Sequence, residues 1–179
     1  MKLPVPEKIE TDRLLLQRFR KEEAEEIFYS YASKAEATKY MSWPTHKSLD
    51  DTRDFLKHAL IGWRRGTDYS FSIRLRKSNR FIGCCGMMND NGKVQFGYVL
   101  SPTHWGNGYA TEACIRLMQI VRGLHDVYRV STFVDVENAA SIRVLIKSGL
   151  VEEARLEKWF KFVNQGNEPK DCVLFKLPI

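Results

Sequence analysis

Residues 93–134 constrain this chain more than any other stretch. Lys93–Leu100 reads as a strand ended by Ser101-Pro102, and Tyr109–Leu124 sets Ala110, Ala113, Cys114, Leu117, Met118 and Val121 on one helical face. Val127–Val134 is β-branched and apolar, a buried strand. Strand, helix and strand in succession form a crossover, so the two strands should lie parallel and adjacent with a right-handed connection. Upstream, Arg80–Met88 and the turn residues Asn89–Gly92 make an antiparallel hairpin with Lys93–Leu100. Strands are also expected at Arg13–Phe19, Tyr69–Leu75, Leu150–Val163 and Asp171–Leu177, the last two around a turn at Gly166. Helices are expected over Lys21–Ala32, from the cap Ser48 to Arg65 with Gly66 as the stop, and over Asn138–Lys147 closed by Gly149. The expectation is an α+β fold. Its mixed, mostly antiparallel sheet has about seven strands, helices on both faces and one parallel βαβ crossover. No repeat or linker interrupts the chain, so residues 1–179 read as a single domain.

Of the 179 residues 44% are hydrophobic, enough for a real core, and no apolar run approaches the length of a membrane span. The start has no apolar leader, and a cytoplasmic protein is the default. Cysteines 84, 85, 114 and 172 show no ligand spacing, so neither a metal site nor a disulfide framework is expected. A net charge of +6 suits an acidic partner. No nucleic-acid motif accompanies the charge, which disfavours DNA or RNA. The cluster Arg74, Arg76, Lys77 and Arg80 reads as a solvated hairpin turn.

Chemistry concentrates in Gly97–Ala113, a strand, a turn holding Gly106 and Gly108, and a helix N-terminus. A helix start offers unpaired N–H groups and partial positive charge, and glycine allows close approach to backbone. Together they form an anion cradle. The nucleoside-triphosphate loop is excluded, because Tyr109-Ala110 follows Gly108 where Lys-Ser/Thr is required.

The segment His104-Trp-Gly-Asn-Gly-Tyr-Ala-Thr-Glu-Ala113 resembles the coenzyme A loop of the GNAT acetyltransferase superfamily, and of its RimJ/RimL-like group in particular. Glu10–Leu16, Phe81–Gly86, Gln95–Val99, Val136–Gly149 and Asp171–Phe175 fit further blocks of that group in order. The resemblance implies an acetyl-CoA-dependent N-acetyltransferase. Gly106, Asn107, Gly108, Tyr109, Ala110 and Thr111 would hold the pyrophosphate. Val99 and Leu100 would border the cleft for the pantetheine arm, and Asn138 would hold that arm or simply cap its helix.

The resemblance also implies direct attack of an amine on the thioester, with a backbone N–H near Val99-Leu100 stabilising the oxyanion. Ser141 is the expected proton donor to sulfur or the thioester anchor. Gln95 takes the other catalytic position, where the superfamily often has Glu, yet Gln cannot accept a proton. Thr103 and Leu145 likewise replace residues of the common pattern, while Glu152, Glu153 and Glu157 could supply a carboxylate. Without a strong base, an α-amine of pKa about 7.7–8.0 suits the site better than a lysine near 10.4. The expected acceptor is a protein N-terminus or a small amine, and a homodimer fits the family. The rival reading is a catalytically silent acyl-CoA-binding module of the same fold.

Overall fold

Consecutive residues in two central strands point into different clusters of buried side chains, so one sheet is covered on both faces. Phe81 and Val99 lie in one cluster, and their neighbours Ile82 and Leu100 in the other. A computed structural model describes residues 1–179. The strands are β1 (Lys8–Glu10), β2 (Leu14–Arg18), β3 (Asp68–Leu75), β4 (Phe81–Asp90), β5 (Lys93–Leu100), β6 (Arg129–Asp135), β7 (Val151–Phe160) and β8 (Lys170–Lys176). They form one eight-stranded sheet ordered β1-β2-β3-β4-β5-β6-β8-β7. Only β5 and β6 pair in parallel, which is the expected crossover. The added strand, β1, has three residues and buries only Ile9, too short a signal for alternation to reveal.

The helices are α1 (Ala24–Ile27), α2 (Ala35–Thr38), α3 (Leu49–Arg65), α4 (Tyr109–Arg122) and α5 (Ala139–Lys147). On one face α4 lays Ala113, Cys114, Leu117, Met118 and Val121 against Ile82, Val94, Phe96 and Leu100. Truncating a fully buried leucine such as Leu117 should cost about 2–5 kcal/mol. On the other face Ile27, Tyr31, Leu56 and Ala59 cover Phe81 and Val99. As read from sequence, Ser48 caps α3 in a reciprocal box with Asp51, and Gly66 ends it at φ +77°.

Two expectations need correction. The single helix over Lys21–Ala32 is divided into a 3-10 turn (Lys21–Glu23), α1 and a π turn (Phe28–Ala32). Ser33 closes the π turn, donating from Oγ to the Phe28 carbonyl at 2.7 Å and from its backbone N to the same oxygen at 3.1 Å. The wider turn seats Tyr31 beneath the sheet, stacked on Phe81. Arg74 is not solvated either. It is 3% exposed and donates to Glu23 at 2.7 Å and to Glu26 at 3.0 Å, tying β3 to the segment around α1. Acidic partners from a distant helix, invisible in a local charge run, draw it inward.

β5 and β6 begin together and then part. Their pairing covers only Lys93–Arg129, Val94–Val130 and Gln95–Ser131, although the strands continue to Leu100 and Asp135. The sheet is therefore open between Phe96–Leu100 and Thr132–Asp135.

Candidate active site

The loop before α4 has the backbone that its glycines suggest. Gly106 and Gly108 both adopt φ +76°, and a Cβ on Gly106 would point into open space. No side chain caps α4, and its first internal bond is from the N–H of Glu112 to the carbonyl of Gly108 at 3.0 Å. None of the N–H groups from Gly106 to Thr111 donates to another protein atom. These are six donors at the positive end of a fourteen-residue helix.

Glu112 leaves that end unneutralised because its carboxylate is used elsewhere. It accepts from Thr11 Oγ1 at 2.6 Å, Arg13 N at 2.9 Å and Arg13 Nε at 2.6 Å. Burial alone would raise its pKa, but these bonds and the Arg13 charge outweigh burial and hold it below the ordinary carboxylate value. Arg13 also donates to the Asn107 carbonyl at 3.0 Å and lies over the Tyr109 ring. This brace joins residues about a hundred positions apart, and no local pattern in the sequence announces it. The Asn107 side chain bonds the carbonyls of His104 and Trp105 at 3.3 and 2.9 Å, shaping the loop from within. Thr103 is likewise turned into its own segment, with Oγ1 3.0 Å from Ser101 Oγ and from His104 Nδ1.

A cavity of about 450 Å³ runs from this loop into the opening beside β5. Gly106, Gly108, Tyr109, Ala110 and Thr111 line it together with Arg143 and Lys147, an i,i+4 pair of cations on α5. A second cavity, about 280 Å³, occupies the other side of the opening and is lined by Gln95, Asp68, Trp43 and Phe55 among others. The two meet at Tyr40, Met41, Tyr98, Val99, Asn138 and Ser141, so the opening connects them.

The backbone at the junction follows from strand alternation. Ser101 N donates to Ile82 O at 2.8 Å, which makes 82 and 101 a hydrogen-bonded pair across β4 and β5. Counting back, Val99 directs its N–H and C=O toward β4, while Tyr98 directs both of its groups and Leu100 its N–H toward the opening, the Leu100 carbonyl accepting from Trp105 Nε1 at 3.1 Å. The N–H groups that face the opening near Val99-Leu100 are thus those of Leu100 and Tyr98. Asn138 caps α5 through Oδ1, which accepts from Ser141 N at 3.2 Å. Its Nδ2 has no protein partner and Asn138 lines both cavities, so the cap leaves a donor for a ligand.

Ser141 lines both cavities, as does Tyr98, which the sequence reading passed over. Burial pushes the Tyr98 phenol up to about 12, with the Ser141 hydroxyl pulling the other way. Leu145 on α5 lines the second cavity, and the phenol of Tyr98 reaches the junction from β5. Of the carboxylates proposed from sequence, Glu153 pairs with Arg129 and with Lys176 at 3.3 Å, and Glu152 with Arg155 at 2.9 Å. Neither they nor Glu157 lines the cavities.

Thus a helix start with free donors, two cations and an opened sheet edge together fit a long polyanionic ligand ending in an extended arm. Comparison with known proteins agrees. The family model described as an acetyltransferase (GNAT) domain matches residues 13–151. An N-acetyltransferase called p20 from Bacillus licheniformis is 30% identical over 158 residues, covering 87% of this chain and 88% of its own. Two solved structures share the fold. One is the microcin C7 self-immunity acetyltransferase MccE in complex with acetyl-CoA and AMP, with TM-score 0.87, 20% identity and 98% of each chain covered. The other is RimL, the ribosomal L7/L12 alpha-N-protein acetyltransferase, in complex with coenzyme A, with TM-score 0.85, 18% identity and 97% and 98% covered. The family match and the p20 relative place this chain in the GNAT acetyltransferase family, whose acyl donor is acetyl-CoA.

Proposed function

We propose that this protein transfers the acetyl group of acetyl-CoA to a primary amine by direct attack, with both substrates bound at once. The acceptor is a protein or peptide N-terminal α-amine, or a small amine of similar pKa. The observation that carries this reading is the meeting of two cavities, one beside the anion-binding loop and one across the sheet, at Tyr98 and Ser141. The structural neighbour RimL, an alpha-N-protein acetyltransferase, supports an α-amine acceptor.

The N–H groups of Gly106–Thr111 would hold the diphosphate, with Arg143 and Lys147 countering its charge. Asn138 Nδ2 and the outward N–H and C=O of Tyr98 would hold the pantetheine arm as an added strand. Bound acetyl-CoA supplies an acetyl thioester. The Leu100 N–H then faces the charge that grows on the carbonyl oxygen. As the C–N bond forms and the C–S bond breaks, the Tyr98 hydroxyl beside Ser141 gives its proton to the departing sulfur. It is reprotonated by the proton that the nitrogen sheds. Cys84 lines the acceptor cavity but does not serve as a covalent carrier, because burial pushes its thiol up to about 12.

Initial rates of thiol release, measured with acetyl-CoA and a panel of peptides and small amines, test the proposal. Intersecting lines in double-reciprocal plots are expected. Parallel lines would indicate a covalent intermediate, and CoA binding without turnover of any amine would support the silent module.

A further inference from the structure

The acceptor cavity contains one acidic side chain in a wall otherwise free of acidic and basic residues. Among its lining residues there is no Lys, Arg, His or Glu, and the single formal charge is Asp68. This holds in a chain with a net charge of +6. Asp68 is the first residue of β3, opposite Met88, which is in turn opposite Gln95, so these three side chains form a row on one face of the sheet. The next row is Ser70, Gly86 and Gly97. A Cβ on Gly97 would meet nothing within 4 Å, so the row leaves open space above it.

Asp68 is firmly placed. Its Cβ lies 2.6 Å from where a Cβ of Gly62 would be, so only glycine in α3 lets the carboxylate sit there. Oδ1 accepts from Ser70 Oγ at 2.5 Å, while Oδ2 has no protein partner and Asp68 takes part in no ion pair. Cys84, whose thiol feels the Asp68 charge, lies 3.1 Å from the Tyr31 hydroxyl and is uncharged. Burial raises the Asp68 pKa and the Ser70 hydroxyl opposes it. Around this group the wall is aromatic, with Tyr40, Trp43, Phe55, Phe133 and Phe162, and Met88 lies 62% exposed at its edge.

We propose that Asp68 is the specificity-determining residue for the acceptor and selects a monocationic primary amine with an apolar or aromatic body and no carboxylate beside the amine. This deepens the transferase reading and rests on it. A free amino acid would bury its carboxylate near Asp68 with no cation to meet it. A polyamine or aminosugar would bring several charges to a site with one counter-charge. An N-terminal residue with an apolar side chain and a free arylalkylamine share the accepted chemistry, because in neither does a carboxylate follow the amine. Asp68 lies two strands from β5, so it captures the ammonium in the cavity, and the amine then moves to the junction at Tyr98, where it sheds its proton.

The test measures binding to the CoA-saturated protein by calorimetry, alongside transfer from acetyl-CoA. The ligands are phenylalaninamide, a short peptide beginning with Phe, 2-phenylethylamine, phenylalanine and spermidine. Phenylalaninamide should bind at least about 30-fold more tightly than phenylalanine, which differs from it by the carboxylate. Asp68→Asn, which keeps the shape and a partner for Ser70, should erase that preference while CoA affinity and the melting temperature hold. The peptide and 2-phenylethylamine arms tell a protein N-terminus from a small amine. Equal or tighter binding of phenylalanine, preference for spermidine, or an unchanged ratio in Asp68→Asn overturns the proposal, and the wild-type comparison decides even if the variant is unstable. Turnover without this selectivity leaves the transferase reading intact, whereas selectivity without turnover leaves the acceptor assignment and removes the transferase.

Discussion

Arg13 Nε lies 2.6 Å from Glu112 Oε2, joining the turn before β2 to the first turn of α4. The same guanidinium reaches the Asn107 carbonyl, so one residue holds the back of the anion-binding loop. Arg13→Gln should weaken acetyl-CoA binding about tenfold, since charge-assisted bonds are lost from a half-exposed site. Titration calorimetry reads this directly. Because the Glu112 pKa is depressed by folding, the pair stabilises fully above the unfolded carboxylate value of about 4.3. That contribution is lost as the pH falls through the lower folded value.

Tyr98→Phe removes the hydroxyl at the junction without opening space. A fall of roughly 100-fold in kcat is expected, with CoA affinity unchanged, because the group acts on the departing sulfur. Its pKa, raised to about 12, keeps the donor protonated. The wild-type rate should therefore rise as the α-amine deprotonates near pH 8 and stay level to about pH 10. A descending limb between pH 9 and 10 would contradict the role of Tyr98.

Cys84→Ala should retain most activity, and alkylating reagents near pH 8 should leave the native enzyme working, because the thiol is held protonated. Loss of transfer in this variant, with its fold intact by circular dichroism, would speak for a covalent path.

Asn164, between β7 and β8, clamps the segment that walls the acceptor cavity. It donates to the carbonyls of Thr38 at 2.7 Å and Trp43 at 3.0 Å and accepts from Thr45 N at 3.0 Å. Asn164→Ala should destabilise the fold by about 2 kcal/mol, as several part-buried groups lose partners. It should also raise the acceptor KM several-fold without altering CoA binding. Thermal melts and steady-state kinetics separate the two effects.

Local features were legible wherever one segment carried the whole signal. Ser48 and Gly66 bracket α3, Gly106 and Gly108 shape the loop, and the apolar face of α4 has the expected spacing. The cleft beside Val99 and Leu100, expected through the family resemblance, is present as the opening between β5 and β6. What escaped was set by register and tertiary partners. Asp68 meets Gln95 only through Met88 on an intervening strand, Arg74 is drawn inward by Glu23 and Glu26, and Arg13 finds Glu112 across the fold. The π turn escaped because it is closed by Ser33, whereas its apolar spacing is still helical.

The proposed function depends on main-chain donors from Gly106 to Thr111 gripping the diphosphate of the donor substrate. Titration of 15N-labelled protein with CoA, followed by amide resonances, tests it most directly. The largest changes are expected at Gly106–Thr111 and at Tyr98 and Leu100, with Gly108→Val losing at least about 100-fold in affinity, since a β-branched residue is strained at φ +76°. Unchanged resonances across that loop while others respond, or undiminished binding by Gly108→Val, would contradict it.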